Sequence, residues 1–316
     1  MLTRRLGQTD MEISVIGFGA WAIGGGGWKF GWGSQDDEQS IKAIIEALQL
    51  GVNWIDTARV YGLGRSERIV SKALDRSELP AHLLTKCTRV WDDTGEITGS
   101  MRRDSIRREL EASAEALGGR PIDMYLIHQP KPDEQIEEGW TTLNELKREG
   151  LVRYIGVSNF DLGQLRRAQG IAPIDLIEPR YSLLDREIER ELLPYCNEHG
   201  IGVLAYSPMG SGLLTGRMTA TRVAELDDDD WRKRHPDFHE PALSRNLAVA
   251  ERLAELGRQH GRSQGAMACA WVLGDPRVTA AIVGFRRAEQ VRDVLGNDGF
   301  GLGDSDFERV RSAITA

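Results

Sequence analysis

Eight short apolar runs, each set between amphipathic segments, constrain this chain more than any other feature. They cover residues 14–18, 52–55, 83–85, 124–127, 154–157, 176–177, 202–206 and 280–283. Several lack polar alternation, the pattern of strands buried on both faces of a parallel sheet. Between the first two, residues 37–50 place Ile41, Ile44, Ile45 and Leu48 on one helical face, and Gly51 supplies a stop. Segments 101–117, 135–149 and 187–199 end the same way, before Gly118, Gly150 and Gly200. Strict alternation of strand and helix predicts a parallel sheet, and eight strands close a (β/α)8, or TIM, barrel. An open doubly wound sheet is the structural alternative. Barrels of this kind remain one domain well past roughly 200 residues, so residues 1–316 read as a single domain.

Some segments exceed the bare barrel. Residues 4–13 read as an N-terminal hairpin, and 246–259 and 264–273 as two helices where one would suffice. Residues 305–314 read as a terminal helix. Residues 209–244 form a long insertion after the seventh strand, and loops of that length are usually functional lids or disordered.

A net charge of −8 argues against a nucleic-acid partner, which needs a basic stripe. Cys87, Cys196 and Cys269 are odd in number and widely spaced, which indicates neither a disulfide framework nor a metal site. No apolar run reaches the roughly 18 residues of a membrane span, and residues 1–10 lack the apolar core of a secretory leader. A cytoplasmic protein is expected. Nothing in the sequence speaks to oligomeric state.

Several motifs lose their force in context. Gly17, Gly19 and Ala22 fit G-x-G-x-x-A after a strand, but Gly24 to Gly27 follow, where a phosphate-binding helix would have to start. His235 and His239 have helical zinc spacing, yet Pro236 separates them and an acidic loop precedes them. No cluster with metal-ligand spacing and no Gly-x-Ser-x-Gly nucleophile motif is present, so no metal is expected.

One constellation survives. Side chains at the C-terminal ends of barrel strands converge on one mouth. The residues just past the second, third and fourth runs are Asp56, Lys86 and His128, and Tyr61 lies five residues beyond Asp56. Singly, each has a structural reading: an ion pair, a core histidine, a turn tyrosine. Together they put an acid, a base, an imidazole and a phenol in one cavity. A buried charge is costly unless paired, so Asp56 and Lys86 make sense as partners.

The motifs around these residues resemble those of the aldo-keto reductases. Residues 54–62 read WIDTARVYG and are followed by Ser66-Glu67; Thr85-Lys86 and Leu126-Ile-His128 come next. Residues 147–160 read KREGLVRYIGVSNF, then come Tyr206-Ser-Pro, Gly212-Leu-Leu-Thr-Gly216 and the tail 282–290, IVGFRRAEQ. The resemblance runs in order along nearly the whole chain. It is nearest to the bacterial branch related to inositol-cluster reductases and potassium-channel β-subunits.

The resemblance implies an oxidoreductase interconverting aldehydes or ketones and alcohols, with a tetrad of Asp56, Tyr61, Lys86 and His128. A free tyrosine is a poor acid at neutral pH; a neighbouring lysine is expected to lower its pKa, and the acid to hold that lysine. It also implies a nicotinamide cofactor across the barrel mouth. Ser158, Asn159 and Glu178 would meet the carboxamide, and Tyr206 the nicotinamide ring. Ser207, Pro208, Met209, Ser211, Gly212, Leu213, Thr215 and Gly216 would wrap the pyrophosphate, with Gly284 beside them and Gln290 at the adenine. Arg286 and Arg287, before a helix, suit the 2′-phosphate of NADPH/NADP+ and make NADH the less favoured form.

Two positions depart from the family pattern. Glu178 stands where a glutamine is usual, and an anion there would favour the oxidised, positively charged ring. Val294 stands where asparagine is common near adenine. Trp21, Trp32 and Trp91 fall where the family's substrate pocket lies, with Trp231 in the insertion. Aromatic walls suit an apolar or ring-shaped carbonyl, and also sugars. A slow redox-sensing subunit, which the intact tetrad disfavours, and a barrel hydrolase are the rival readings.

Overall fold

A computed structural model describes residues 1–315, with side-chain surroundings for residues 1–312. The barrel strands are β1 (Ile16–Gly19), β2 (Trp54–Asp56), β3 (His82–Cys87), β4 (Ile122–Ile127), β5 (Val152–Ser158), β6 (Leu176–Glu178), β7 (Gly202–Tyr206) and β8 (Ala280–Gly284). They close in sequence order into a barrel, each parallel to its neighbours, and β8 returns to β1 with Gly284 opposite Gly19. This is the expected (β/α)8 fold, and an open sheet is excluded.

The main difference from the sequence reading lies at the strand ends. Apolar runs stop at the first polar residue, but backbone pairing continues through Asp56, Lys86, Ser158 and Glu178. Asp56, Ser158 and Glu178 are the last rungs of the ladder and Lys86 is one residue short of the end of β3, so all four are held by rigid strand rather than by loop.

The four expected helices form at Asp37–Gln49, Arg103–Ala116, Ile136–Arg148 and Leu192–His199. Their glycine stops Gly51, Gly118, Gly150 and Gly200 all take positive φ. The last is shorter than expected, because residues 187–189 make a separate 3-10 turn. Helices Gln264–Leu273 and Ala242–His260 both form, and Asp304–Thr315 closes the chain. The N-terminal hairpin pairs Thr3–Arg5 with Glu12–Ser14.

The hairpin plugs the bottom of the barrel. Leu6, Met11 and Ile13 join Trp54, Leu84, Met124, Leu126, Leu176 and Leu204 in one buried cluster. The interior is crowded enough to dictate glycine: a Cβ on Gly17 would lie 2.2 Å from the Trp54 ring. Gly17 therefore makes room for an indole rather than for a pyrophosphate, and only a 3-10 turn, Ala22–Gly24, follows.

Residues 209–244 are folded, not structureless. They contain the short helix Ala220–Ala224 and three 3-10 turns, at Gly210–Thr215, Trp231–Arg234 and Pro236–Phe238. The segment is tied across the mouth to residues 27–31. The Trp231 N–H donates to the Gly31 carbonyl at 2.9 Å, the Gly27 N–H to Asp229 Oδ2 at 2.9 Å, and Arg234 to the Lys29 carbonyl at 2.8 Å. Among the described residues no helix is long and apolar enough to cross a membrane.

Candidate active site

The four sequence-predicted residues meet at the C-terminal end of the barrel. Lys86 projects from β3, almost fully buried, and donates to Asp56 Oδ1 on β2 and to the Thr57 carbonyl at 3.0 Å. Its ammonium lies 5.4 Å from the centre of the Tyr61 ring. The Tyr61 ring stands edge-on to His128, with centroids 5.5 Å apart. Tyr61 sits in a pinned loop: the Ser66 hydroxyl donates to the Ala20 carbonyl at 2.9 Å and pairs with the Thr57 hydroxyl at 3.0 Å. Next to it, Glu67 accepts from the Thr85 hydroxyl at 2.7 Å. The motif residues flanking the tetrad thus fix the loop that carries the phenol.

Glu178 is closer to this centre than the sequence indicated. Its carboxylate Oε2 lies 3.2 Å from Lys86 Nζ, so two buried carboxyls share one ammonium. Burial, reinforced by the negative Asp56, pushes the Glu178 pKa well above the carboxylate range despite Lys86. Burial thus favours the protonated form of Glu178, which resembles the usual neutral amide more closely than a carboxylate would. The same burial works against the fixed anion expected beside the nicotinamide, because two carboxyls here share one ammonium in a low-dielectric site.

Lys86 lowers the Tyr61 pKa as expected, but other groups outweigh it. Burial raises it, Lys86 pulls it down, and Asp56 and Glu178 push it up again, for a net rise above the ordinary phenol value. Lys86 itself is penalised by burial, but Asp56 and Glu178 outweigh that and hold it cationic. Burial, with Lys86 and Arg89 adding to it, drives the His128 pKa well below its usual value. His128 is a neutral imidazole, and its Nδ1 is buried without a hydrogen-bond partner.

The mouth holds a cavity of about 870 Å³. Asp56, Tyr61 and His128 line it, while Lys86 lies beneath. Ser158, Asn159, Glu178, Tyr206, Ser207, Pro208 and Met209 form one wall, and Ser211, Gly212, Thr215, Gly284, Arg286, Arg287 and Gln290 continue it. Leu213 and Gly216 do not line it; Leu213 instead packs with Met218 and Phe238 under the insertion. The Tyr206 hydroxyl donates to Asn159 Oδ1 at 2.7 Å. Asn159 and Ser207, just past β5 and β7, both take positive φ, a strained backbone of the kind found at functional sites. Gln290 Oε1 accepts from the Arg286 N–H at 2.8 Å and caps the helix Ala288–Leu295.

Trp21 and Trp32 line the cavity. Trp231 stacks on Trp21 at 5.1 Å, so the insertion contributes a wall. Trp91 does not line it. It lies in a hairpin, Arg89–Trp91 with Ile97–Gly99, and packs beneath the Arg59 guanidinium at 4.8 Å. Trp28, Phe30 and Arg89 do line the cavity and were not singled out from the sequence, since no periodic or motif signal marks them.

The sequence profile of the Aldo/keto reductase family matches residues 15–315. The chain belongs to the aldo-keto reductase family. It is 35% identical over 312 residues to the aldo-keto reductase YhdN of Bacillus subtilis (strain 168), covering 98% of this chain and 92% of that one. It is also 35% identical to the NADH-specific methylglyoxal reductase of Escherichia coli (strain K12), over 98% of each chain. A glycerol dehydrogenase from Gluconobacter oxydans superposes with a TM-score of 0.84 at 36% identity, covering 99% of this chain and 95% of that structure. This aldo-keto reductase is accordingly an oxidoreductase acting on carbonyl and alcohol groups.

Proposed function

We propose that this chain reduces small-molecule aldehydes or ketones with NADPH, and oxidises the corresponding alcohols with NADP+, using Tyr61 as proton donor and acceptor. The observation that carries this reading is Tyr61 at the cavity floor, beside neutral His128 and above the buried Lys86–Asp56 pair.

The residues fit a nicotinamide cofactor. Glu178 Oε1 is buried, faces the cavity and has no partner, which leaves it free to accept a carboxamide N–H. Ser158, Asn159 and Tyr206 stand around it. Gly265, Met209 and Val294 line the cavity together, and a Cβ on Gly265 would crowd the other two at 3.1 Å and 3.3 Å, so a glycine keeps this part of the wall open. Arg287, at the start of a helix, makes no ion pair among the described residues and suits a 2′-phosphate. Bound cofactor would supply the hydride.

The protein's own part is to bind, orient and move one proton. Neutral His128 donates to the carbonyl oxygen and orients it. As negative charge grows on that oxygen, Tyr61 delivers its proton, and Lys86 stabilises the phenolate left behind. The raised resting pKa keeps Tyr61 protonated until then. Asp56 keeps Lys86 in place and charged. The free, buried thiols of Cys87, Cys196 and Cys269 accord with a cytoplasmic setting.

The test is oxidation of NADPH and of NADH by the purified protein with 4-nitrobenzaldehyde, for wild type, Tyr61→Phe and Arg287→Ala. Expected are a preference for NADPH that Arg287→Ala weakens, and loss of most turnover in Tyr61→Phe with cofactor binding retained. Near-normal kcat in Tyr61→Phe sinks the proton-donor assignment. A wild-type preference for NADH, the cofactor for which the Escherichia coli relative is named, sinks the role of Arg287.

A further inference from the structure

Just past β3 the backbone turns sharply. Thr88 takes φ +78, a left-handed conformation that a β-branched residue rarely adopts. Buried Glu109 holds it there, accepting from the Thr88 N–H at 2.9 Å, while the Ser100 N–H donates to the Thr88 carbonyl at 3.1 Å. The turn carries Arg89 onto the wall of the catalytic cavity, which Tyr61 and His128 also line.

Arg89 is half-buried, with its guanidinium over the Phe30 ring at 5.6 Å. Among the described residues it forms no ion pair, and its side chain makes no hydrogen bond. Three other arginines of the cavity wall are partnered. Arg232 is paired with Asp230, Arg180 with Asp185 and Asp237, and Arg286 donates to Gln35 at 2.7 Å. Burial alone lowers the Arg89 pKa, with no carboxylate near enough to compensate, and its charge reaches His128. A half-buried cation without a counter-ion is costlier to keep than a solvated or paired one. In a cavity that takes up a substrate, the substrate can be that counter-ion.

We propose that Arg89 is an anion subsite, and that the preferred substrate is an oxo acid. Its carbonyl lies at Tyr61 and His128, and its carboxylate is gripped by the planar guanidinium fork of Arg89. Trp21, Trp28 and Phe30 flank the carbon skeleton between the two ends. This inference rests on the carbonyl-reducing function proposed above.

The test measures kcat/KM with NADPH for two acid–ester pairs of different length: 4-formylbenzoate and 4-oxobutanoate, each against its methyl ester. Wild type is expected to favour the acid at least tenfold in one pair, mainly through KM. Arg89→Gln is expected to lower that acid-over-ester ratio at least tenfold, and Arg89→Lys to retain part of it. Turnover of the esters with no Arg89-dependent preference for either acid overturns the anion subsite and leaves the reductase function standing. Turnover of none of the four aldehydes overturns both.

Discussion

Replacing Glu178 by glutamine tests the electrostatics of the site in a way that removal of a tetrad member does not. The change is nearly isosteric and removes one titrating proton. Glu178 lies 3.2 Å from Lys86 Nζ, which lies 5.4 Å from the centre of the Tyr61 ring, so the carboxyl and the ring are separated by at most about 9 Å. At that distance and an effective dielectric of about 20, a full charge on Glu178 raises the energy of a Tyr61 phenolate by about 1.8 kcal/mol, or about 1.4 pKa units. Below the elevated pKa of Glu178 the residue is neutral, and wild type and variant should behave alike. Above it, wild-type Glu178 opposes ionisation of Tyr61, and the variant does not. In the proposed mechanism, alcohol oxidation uses the Tyr61 phenolate as base. Its kcat/KM should therefore rise with pH about one unit earlier in Glu178→Gln than in wild type, with the acid-side rates of carbonyl reduction unchanged. Profiles from pH 6 to 11, with circular dichroism to verify folding, measure this. Superimposable alkaline limbs would refute the reasoning, because Glu178 would then carry no charge that Tyr61 senses.

Two further perturbations address stability. Lys86→Met leaves Asp56 and Glu178 buried together without a cation, at an expected cost of about 3–5 kcal/mol at neutral pH. Both carboxyls have folded-state pKa values raised above the unfolded ones, so the folded state binds more protons. The variant should be most stable below the unfolded carboxylate range and lose stability as pH rises through the folded values. Urea unfolding at pH 5 and pH 8 checks the sign, and equal stability at the two values contradicts it. Gly17→Ala puts a methyl 2.2 Å from the Trp54 ring and should cost about 1–3 kcal/mol with a change in tryptophan emission; an unchanged urea midpoint means that the barrel interior is looser than described.

Much of the fold was legible because its signals are local. A parallel strand buried on both faces needs a continuous apolar run, and each of the four glycine-stopped helices ends at a glycine that takes positive φ. Where the local signal differs, legibility falls. The helix Arg65–Ser77 ends on Glu78 in a left-handed conformation, so no glycine marks its end in the sequence. The helix Leu162–Gln169 is marked by a capping box, Asp161 with Gln164, rather than by a glycine stop. The hairpin Arg89–Trp91 with Ile97–Gly99 has too little alternation to read, so Trp91 was expected on a wall it does not reach.

The sequence by itself determined the number and order of the barrel strands and the convergence of Asp56, Tyr61, Lys86 and His128 at one mouth. Each of these follows from periodicity and from the rule that strand ends in a closed barrel face one side. Only the tertiary structure decided the charge state of the site. Glu178 reaches Lys86 across the mouth from β6 to β3, strands that are not neighbours in the sheet, and no spacing in the chain encodes that 3.2 Å contact. The same holds for Arg89, whose lack of an ion-pair partner among the described residues emerges only once the neighbouring acids have been placed, and for the insertion that folds over Trp21. Pairing and burial set the protonation of these groups, because the cost of a charge depends on everything packed around it, and the chain assembles that environment from residues far apart in sequence.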